Sequence, residues 1–308
     1  MAVEISNGGL VPHATSHTDL LAKLKTFVLA NGWTALEDTA DKLVLQGSGS
    51  GSDEIIVAIQ LYANGWRLNG YTGYVNGLTF ANQPGAIPSV CGAMALWNAG
   101  IQYWFVVNSR RIIVVAKVNT VYHACYLGWF LPYSTPGQYP YPLIVGGSYS
   151  AATYANAPAY NDVSNSTVNF WRHSINNYPL FYVRQNNLWR QLVNQQNTAP
   201  ITSDNTQGLY PYCKDSSTNG GAIASMGSNT LNARRLTGDG KDVLDPVTLV
   251  HRIDAVDKGF LGELDGVFSV TGNGHVAEDI VTYGGVDHLI VNNVYRGGIV
   301  DFAAIKLA

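Results

Sequence analysis

The first part of the chain contains one clear helical pattern. Five apolar residues recur at the spacing that puts side chains on one face of an α-helix: Leu20, Leu21, Leu24, Phe27 and Val28. Ser16 is a suitable N-cap, and Asp19 complements the helix dipole in the first turn. Asn31-Gly32 favours a helix end, because glycine readily takes the left-handed conformation. We therefore predict an amphipathic helix between these signals, with its apolar stripe packed on other elements.

The residues after this helix have the patterns of β-strands. Extended segments separated by turn residues are predicted at 33–37, 43–46, 54–62, 65–74, 103–108, 111–117 and 121–129. Ser109-Arg110 lies between two of these segments and predicts a hairpin over 103–117. The elements indicate an α+β fold that is predominantly β, in which the N-terminal helix packs on a mainly antiparallel sheet.

A segment rich in Pro and Tyr follows at 131–142. Proline lacks the N–H that a central strand needs, so this segment should run extended across a surface. Its spaced prolines are also typical of ligands for domains that bind polyproline II helices. The tyrosine rings favour an ordered, packed connection, because they need surface against which to bury.

The C-terminal part returns to strong strand patterning. Residues 279–283 turn at Gly284-Gly285 into 286–291, which is the signature of a β-hairpin with a two-residue loop. Residues 292–296 and 299–307 are predicted as a second turn-linked pair. These hairpins favour a C-terminal segment that adds strands to the body of the protein.

Between these two patterned parts the chain is rich in Asn, Ser, Thr, Ala, Tyr and Gly. Strands are predicted there at 180–184 and 188–193, with a turn between them. We predict three regions: a helix-plus-sheet assembly domain at 1–146, a loop-rich, aromatic β insertion on the surface at 147–250, and a C-terminal β-hairpin segment at 251–308 that packs on the body.

The surface implied by the composition is unusually poor in charge. Asp, Glu, Lys and Arg make up 13% of the chain, about half of the usual ~25%. The surface must therefore consist largely of Asn, Gln, Ser, Thr, Tyr and Gly. Such surfaces suit contact with other proteins or with sugars. A robust β protein with a neutral surface is the alternative interpretation.

Charge and motifs argue against several other classes of function. The net charge of −3 and the lack of a basic stripe predict no direct binding of nucleic acid. No apolar run is long enough for a membrane helix, and the N-terminus lacks the features of a signal peptide. We expect synthesis in a cytoplasm, where the chain stays unless something larger carries it out. The three cysteines form no CxxC or Cys/His cluster, so no metal site, disulfide framework or cofactor is predicted.

No residue set predicts catalysis, and the chain is expected not to be an enzyme. Two pairs of acids, Glu263 with Asp265 and Glu278 with Asp279, raise the question of a glycosidase. The members of each pair are adjacent or nearly adjacent, so strand alternation should point them to different faces or to solvent. Two such pairs are expected without function in a chain with 21 acids. A hydrolase that uses Asp265 and Glu278 is the least supported alternative. His13 and His17 precede the predicted helix, so we expect them to be exposed or to serve as caps.

The middle segment carries aromatic residues that are candidates for binding. Their rings are suited to stacking on sugars or on a neighbouring subunit, and the candidates are Tyr149, Tyr154, Tyr160, Trp171, Tyr178 and Trp189. The alternative for each of them is that it belongs to a small core of the insertion.

Several stretches resemble a family of virion structural proteins from tailed bacteriophages. They lie at 5–8 and 12–25 with 31–33, at 70–74, at 139–143, at 262–268, and at 278–305, where Glu278-Asp279, 284–286, 293–296 and 301–305 match. The resemblance covers both ends and the first half of the chain, whereas about 146–260 matches only loosely. It implies a component of the virus particle without catalytic activity, and it leaves neck, tail and baseplate open.

The resemblance and the charge-poor surface together predict one main function. The chain is expected to assemble into a symmetric homo-oligomer that contacts other virion proteins, in a particle assembled in the host cytoplasm. The alternative is a host-attachment protein on the same virion, whose middle segment binds a surface glycan or a receptor.

Overall fold

The computed structural model describes residues 1–49, 54–87, 92–133, 141–150, 180–185, 188–191, 207–210, 244–252, 258–270, 274–292 and 302–307. These residues form one helix and three antiparallel sheets, so the fold is mostly β, as predicted. In chain order the elements are β1 (Ala2–Ile5), α1 (His17–Ala30), β2 (Trp33–Asp38), β3 (Lys42–Gly47), β4 (Ile55–Tyr62), β5 (Gly65–Tyr71), β6 (Gly92–Ala95), β7 (Ile101–Val107), β8 (Arg111–Val118), β9 (Val121–Trp129), β10 (Leu131–Pro132), β11 (Leu143–Gly147), β12 (Tyr149–Ser150), β13 (Leu180–Gln185), β14 (Leu188–Gln191), β15 (Gln207–Tyr210), β16 (Asp245–Arg252), β17 (Lys258–Val270), β18 (Ile280–Tyr283), β19 (Val286–Asn292) and β20 (Phe302–Lys306).

The three sheets have defined strand orders. The central sheet runs β1-β7-β8-β9-β11-β13-β14. The N-terminal sheet runs β12-β6-β5-β4-β3-β2, and the C-terminal sheet runs β15-β16-β17-β20-β19-β18, with β10 paired beside β17. The predicted segment 1–146 therefore supplies strands to all three sheets, where the sequence indicated one main sheet.

The central sheet is buried on both faces. Along β7, Phe105 and Val107 join a core formed with the helix and the N-terminal sheet. Trp104 and Val106, which point the opposite way, join a second core formed with the C-terminal sheet. Alternate side chains of a strand lie on opposite faces, so both sets must be apolar here. This explains why β7, β8 and β9 are nearly continuous apolar runs in the sequence.

The helix forms as the sequence predicts. The Asp19 N–H donates to Ser16 Oγ at 3.1 Å, which caps the N-terminus, and Asn31 occupies the C-cap. Phe27 lies against Phe105 of the central sheet, with ring centroids 5.9 Å apart. The prediction for His17 is wrong: it is the first helical residue and is buried. The start of the helix packs on the N-terminal sheet, where the His17 N–H donates to the Trp97 carbonyl at 3.2 Å and the His17 carbonyl accepts from the Trp66 indole N–H at 3.0 Å. His13 is exposed, as expected.

Three predicted hairpins are confirmed: β7–β8, β13–β14 and β18–β19. The described strands of the middle segment join the larger sheets, since β13 and β14 extend the central sheet and β15 and β16 extend the C-terminal sheet. Of the predicted pair at 292–296 and 299–307, β20 is confirmed, and residues 293–301 lie outside the described part of the chain. Strand β1, which pairs with β7 at the edge of the central sheet, was not predicted from the sequence.

The neighbouring strand of the central sheet leaves no room for a side chain at Gly146. This residue lies opposite Phe181 in the β11–β13 pair, and an added Cβ would come within 2.3 Å of the Phe181 ring. We expect Gly146→Ala to lower the free energy of unfolding by about 1–3 kcal/mol, measured by chemical denaturation. Gly100→Ala is the control, because a Cβ there meets nothing within 4 Å. Equal denaturation midpoints for the two variants would contradict this packing.

Candidate assembly site

The aromatic candidates for binding are only partly within the described residues. Trp189 in β14 is half-buried, and its indole N–H donates to the Gly85 carbonyl at 2.6 Å. Its ring lies against Gly70, where an added Cβ would be 3.0 Å from the ring, so Trp189 packs the central sheet on the N-terminal sheet. The backbone of Tyr149 pairs with Ala93. The other four candidates lie outside the described residues: Tyr154, Tyr160, Trp171 and Tyr178.

Asp265 and Glu278 lie at opposite ends of strand β8. Asp265 forms an ion pair with Arg111, the first residue of β8, and Glu278 forms one with Lys117, near its last. Six residues of extended strand span about 20 Å. The carboxylates of a glycosidase lie about 5–9.5 Å apart. The structure therefore does not bring these two acids together as a catalytic pair.

Arg111 is the centre of a buried polar cluster at the β7–β8 turn. Its side chain is fully buried, and Nε lies 3.2 Å from Asp265 Oδ2, off the hydrogen-bonding direction. Nη1 donates to the Val106 carbonyl at 3.2 Å, and Asn108 Nδ2 donates to Asp265 Oδ2 at 2.6 Å. The cluster joins the turn of the central sheet to β17 of the C-terminal sheet.

A glycine makes room for the buried guanidinium. Gly266 follows the aspartate and has a φ of +72°, and an added Cβ would lie 2.6 Å from Arg111 Nη2. Beside it, the Tyr126 hydroxyl donates to the Trp129 carbonyl at 2.7 Å and accepts the Asp265 N–H at 3.2 Å. In the sequence Arg110-Arg111 is only a basic dyad. Arg111 is fully buried and Arg110 is only partly buried, and this difference arises when the C-terminal sheet packs on Arg111.

Replacing Asp265 by Asn should leave the buried Arg111 charge without an anion. We expect Asp265→Asn to lower the free energy of unfolding by about 2–4 kcal/mol, since breaking a buried ion pair is costly. Asp38→Asn is the matched control, because the Lys25–Asp38 pair is exposed and such pairs contribute about 1 kcal/mol or less. Chemical denaturation of both variants checks this, and equal losses would argue against a buried charge at Arg111.

Glu278 has an unusual backbone conformation. Its φ is +78°, and its N–H donates to the Ile290 carbonyl at 2.7 Å, while the Ile290 N–H donates to the Asp279 carbonyl at 2.8 Å. This is the hydrogen-bond pattern of a G1 β-bulge, in which glycine usually occupies the first position. A residue with a Cβ is strained there. The interactions of its side chain give the physical reason for a glutamate at this position.

The Glu278 carboxylate receives donors from three residues of the central sheet. Oε1 accepts from Lys117 Nζ and from the Tyr122 hydroxyl, the latter at 2.5 Å, and Oε2 accepts from Gln102 Nε2 at 3.1 Å. Partial burial by itself raises the pKa of Glu278, but the Lys117 and Tyr122 hydrogen bonds, the Lys117 charge and the Gln102 hydrogen bond outweigh it and hold the pKa below its usual range. Glu278 thereby fixes the C-terminal sheet on the far end of β8.

A shallow groove of about 320 Å³ lies beside this anchor, lined by Lys117, Thr120, Tyr122, His275, Val276, Ala277 and Phe302. Its floor is mostly apolar, and the Lys117 ammonium that borders it is already paired with Glu278. The groove is open on the side of Val276, whose exposed fraction is 66%. Such a shape suits an apolar contact with another macromolecule better than it suits a small charged ligand.

The Glu278 interactions give a defined dependence on pH. A carboxyl group with a lowered folded-state pKa stabilises above its unfolded pKa, and this stabilisation is lost as the pH falls through the folded pKa. We expect Glu278→Gln to lower the free energy of unfolding by about 1 kcal/mol at pH 7. The difference from wild type should shrink below pH 4.5, the ordinary pKa of Glu.

Urea denaturation at several pH values measures this difference, and a double-mutant cycle with Lys117→Met isolates the ion pair. A difference between wild type and Glu278→Gln that stays constant from pH 7 to pH 3 is incompatible with a shifted carboxyl group.

His123 and Ser148 form a pair that the sequence did not predict. His123 Nδ1 lies 3.2 Å from Ser148 Oγ, and both residues are buried. Burial lowers the pKa of His123 to about 3, so the imidazole is neutral at physiological pH. A serine beside a histidine resembles a nucleophile and its base. Because both side chains are enclosed in the core, a substrate cannot reach this pair in the folded state.

Strand β18, which follows the groove residues 275–277 in the chain, is an accessible apolar feature. Among the strands that the structure describes, it is one edge of the C-terminal sheet and pairs only with β19. Ile280 is 49% exposed and Tyr283 is 57% exposed. Protein edges are usually protected by charged residues, proline or bulges. The bulge at Glu278–Asp279 precedes β18, but the four residues of the strand include neither charge nor proline, so β18 with Val276 is our candidate for an assembly site.

No protein-family model matches this sequence, and no curated protein matches it. Within the described ranges, no group of His, Cys, Asp and Glu residues is arranged to hold a metal ion. The helix found there is too short to cross a membrane.

Proposed function

We propose that this chain is a structural component of a tailed-phage virion, in the tail, baseplate or neck, and that it assembles through charge-poor surfaces into a symmetric oligomer. The main observation in support of assembly is the uncharged, exposed edge strand β18. The resemblance of the two ends of the chain to virion structural proteins supports the assignment to a phage particle.

The physical properties of the fold suit this role. Two apolar cores hold three sheets together, and ion pairs at both ends of β8 fix the C-terminal sheet on the central sheet. In a body held together in this way, the edge strands of the sheets keep fixed positions relative to one another. A surface with few charges loses little hydration energy when it is buried, so subunits can associate without exact pairing of charges.

The test is to isolate the particles and look for the chain in them. Particles purified on a density gradient should contain this chain at a fixed copy number, measured by quantitative mass spectrometry against a capsid protein. Labelling with a specific antibody in electron microscopy should mark one region of the particle. The absence of the chain from infectious, purified particles would refute the proposal.

The alternative, a host-attachment protein, predicts a further result. Purified protein should then bind host cells, and replacement of 147–250 should abolish the binding. A chain that is present in particles but does not bind cells supports a structural role alone.

A further inference from the structure

The hairpin β18–β19 leaves hydrogen-bonding groups of β18 facing away from the sheet. Asp279 is bonded to β19 through the Ile290 N–H, and the Gly284-Gly285 loop closes the hairpin at Tyr283 and Val286. Backbone groups alternate in direction along an antiparallel strand. Val281 and Tyr283 therefore direct their N–H and C=O towards β19, whereas Ile280 and Thr282 direct theirs outward.

The charges near this edge are placed where they do not oppose a second β18. Ile280, Val281, Thr282 and Tyr283 are uncharged, and the nearest acids are Asp279 and Asp287. The Thr282 hydroxyl donates to Asp287 Oδ1 at 2.6 Å, so that carboxylate lies over its own hairpin. An uncharged edge strand has no electrostatic attraction for a strand of opposite charge. Two copies of it can pair without repulsion between like charges.

We infer that β18 pairs antiparallel with β18 of a second copy of this chain, about a two-fold axis at Val281. This inference rests on the proposed function and names one of its interfaces. The outward groups of Ile280 meet those of Thr282 in the second copy, and the reverse pair forms by symmetry. The pairing makes four backbone hydrogen bonds between the copies.

The register follows from engaging both outward-facing residues of β18. Outward-facing residues must be opposite each other and on the same face of the joined sheet, which Ile280 opposite Ile280 or Thr282 opposite Thr282 would also satisfy. Only the pairing of Ile280 with Thr282 engages both residues of both copies within β18. It also puts Asp279 opposite Tyr283 of the second copy, so no like charges face each other. The two C-terminal sheets then continue as one sheet, and Val276 and the groove beside it lie at the margin of the contact.

A disulfide tests the axis directly. Val281 faces itself in a non-hydrogen-bonded pair, where Cα atoms are about 4.5 Å apart, within the range of about 4.4–6.8 Å for disulfides. We expect Val281→Cys to form an intermolecular 281–281 link on mild oxidation of the full chain, identified by mass spectrometry of the linked peptide. Tyr283→Cys is the control, because its two copies would be separated by four strand residues, about 13 Å.

A charge at the edge tests the contribution of the interface to assembly. Ile280→Lys should shift the chain to a smaller species in size-exclusion chromatography with light scattering, since it brings two lysines to the contact. Leu188→Lys, at a 55% exposed position on the edge strand β14, is the control and should leave the species unchanged. Circular dichroism establishes that both variants are folded.

The outcomes separate this interface from the proposed function. Efficient 281–281 linking, with a loss of the larger species in Ile280→Lys, supports the two-fold pairing. A chain that gives no 281–281 link, links equally well through residue 283, or keeps its larger species in Ile280→Lys overturns it. The proposed function is tested separately, by detection of the chain in purified particles. If the chain is found in particles but forms no 281–281 link, the interface is refuted and the proposed function is not.

Discussion

The central sheet must be covered on both faces, and the arrangement of the other layers follows from this requirement. Strands β7, β8 and β9 carry apolar side chains in both directions, so a single layer against them would leave one face in water. At roughly 25 cal/mol for each Å² of apolar surface, that exposure costs more than a protein of this size can tolerate. The N-terminal sheet with its helix covers one face, and the C-terminal sheet covers the other.

Apolar contact between sheets is not directional, and polar interactions at the two ends of β8 define the register of the outer layer. Arg111 with Asp265 is at one end, and Lys117 with Glu278 is at the other. The pair with the fully buried Arg111 adds little net stability compared with apolar residues, but it strongly disfavours arrangements that separate its partners. The Lys117–Glu278 pair is partly exposed and has a smaller effect of the same kind. The strained backbone of Glu278 is consistent with this role, because its carboxylate reaches three donors of the central sheet.

Because the centre of the protein is buried, other molecules can contact only its periphery. The described polar clusters are engaged within the protein, and the His123–Ser148 pair is enclosed. The uncharged strand β18 and the groove beside it are among the exposed features of the described residues. Edge strands are usually protected, since they readily pair with another chain. An edge strand without charge or proline, on a charge-poor protein, is therefore consistent with a subunit that completes its sheet by assembly.

The local elements could be predicted from the sequence, because each depends on residues close together in the chain. These elements are the helix with its Ser16 cap and apolar stripe, and the hairpins around Ser109-Arg110 and Gly284-Gly285. How the sheets are layered became known from the folded structure alone. It also buried His17 and Arg111, turned Trp189 towards Gly70 and placed β18 at an edge. Those features depend on partners far apart in sequence, such as Arg111 and Asp265. Hydrophobic periodicity shows that one face of an element is buried, but it does not identify the element that covers that face.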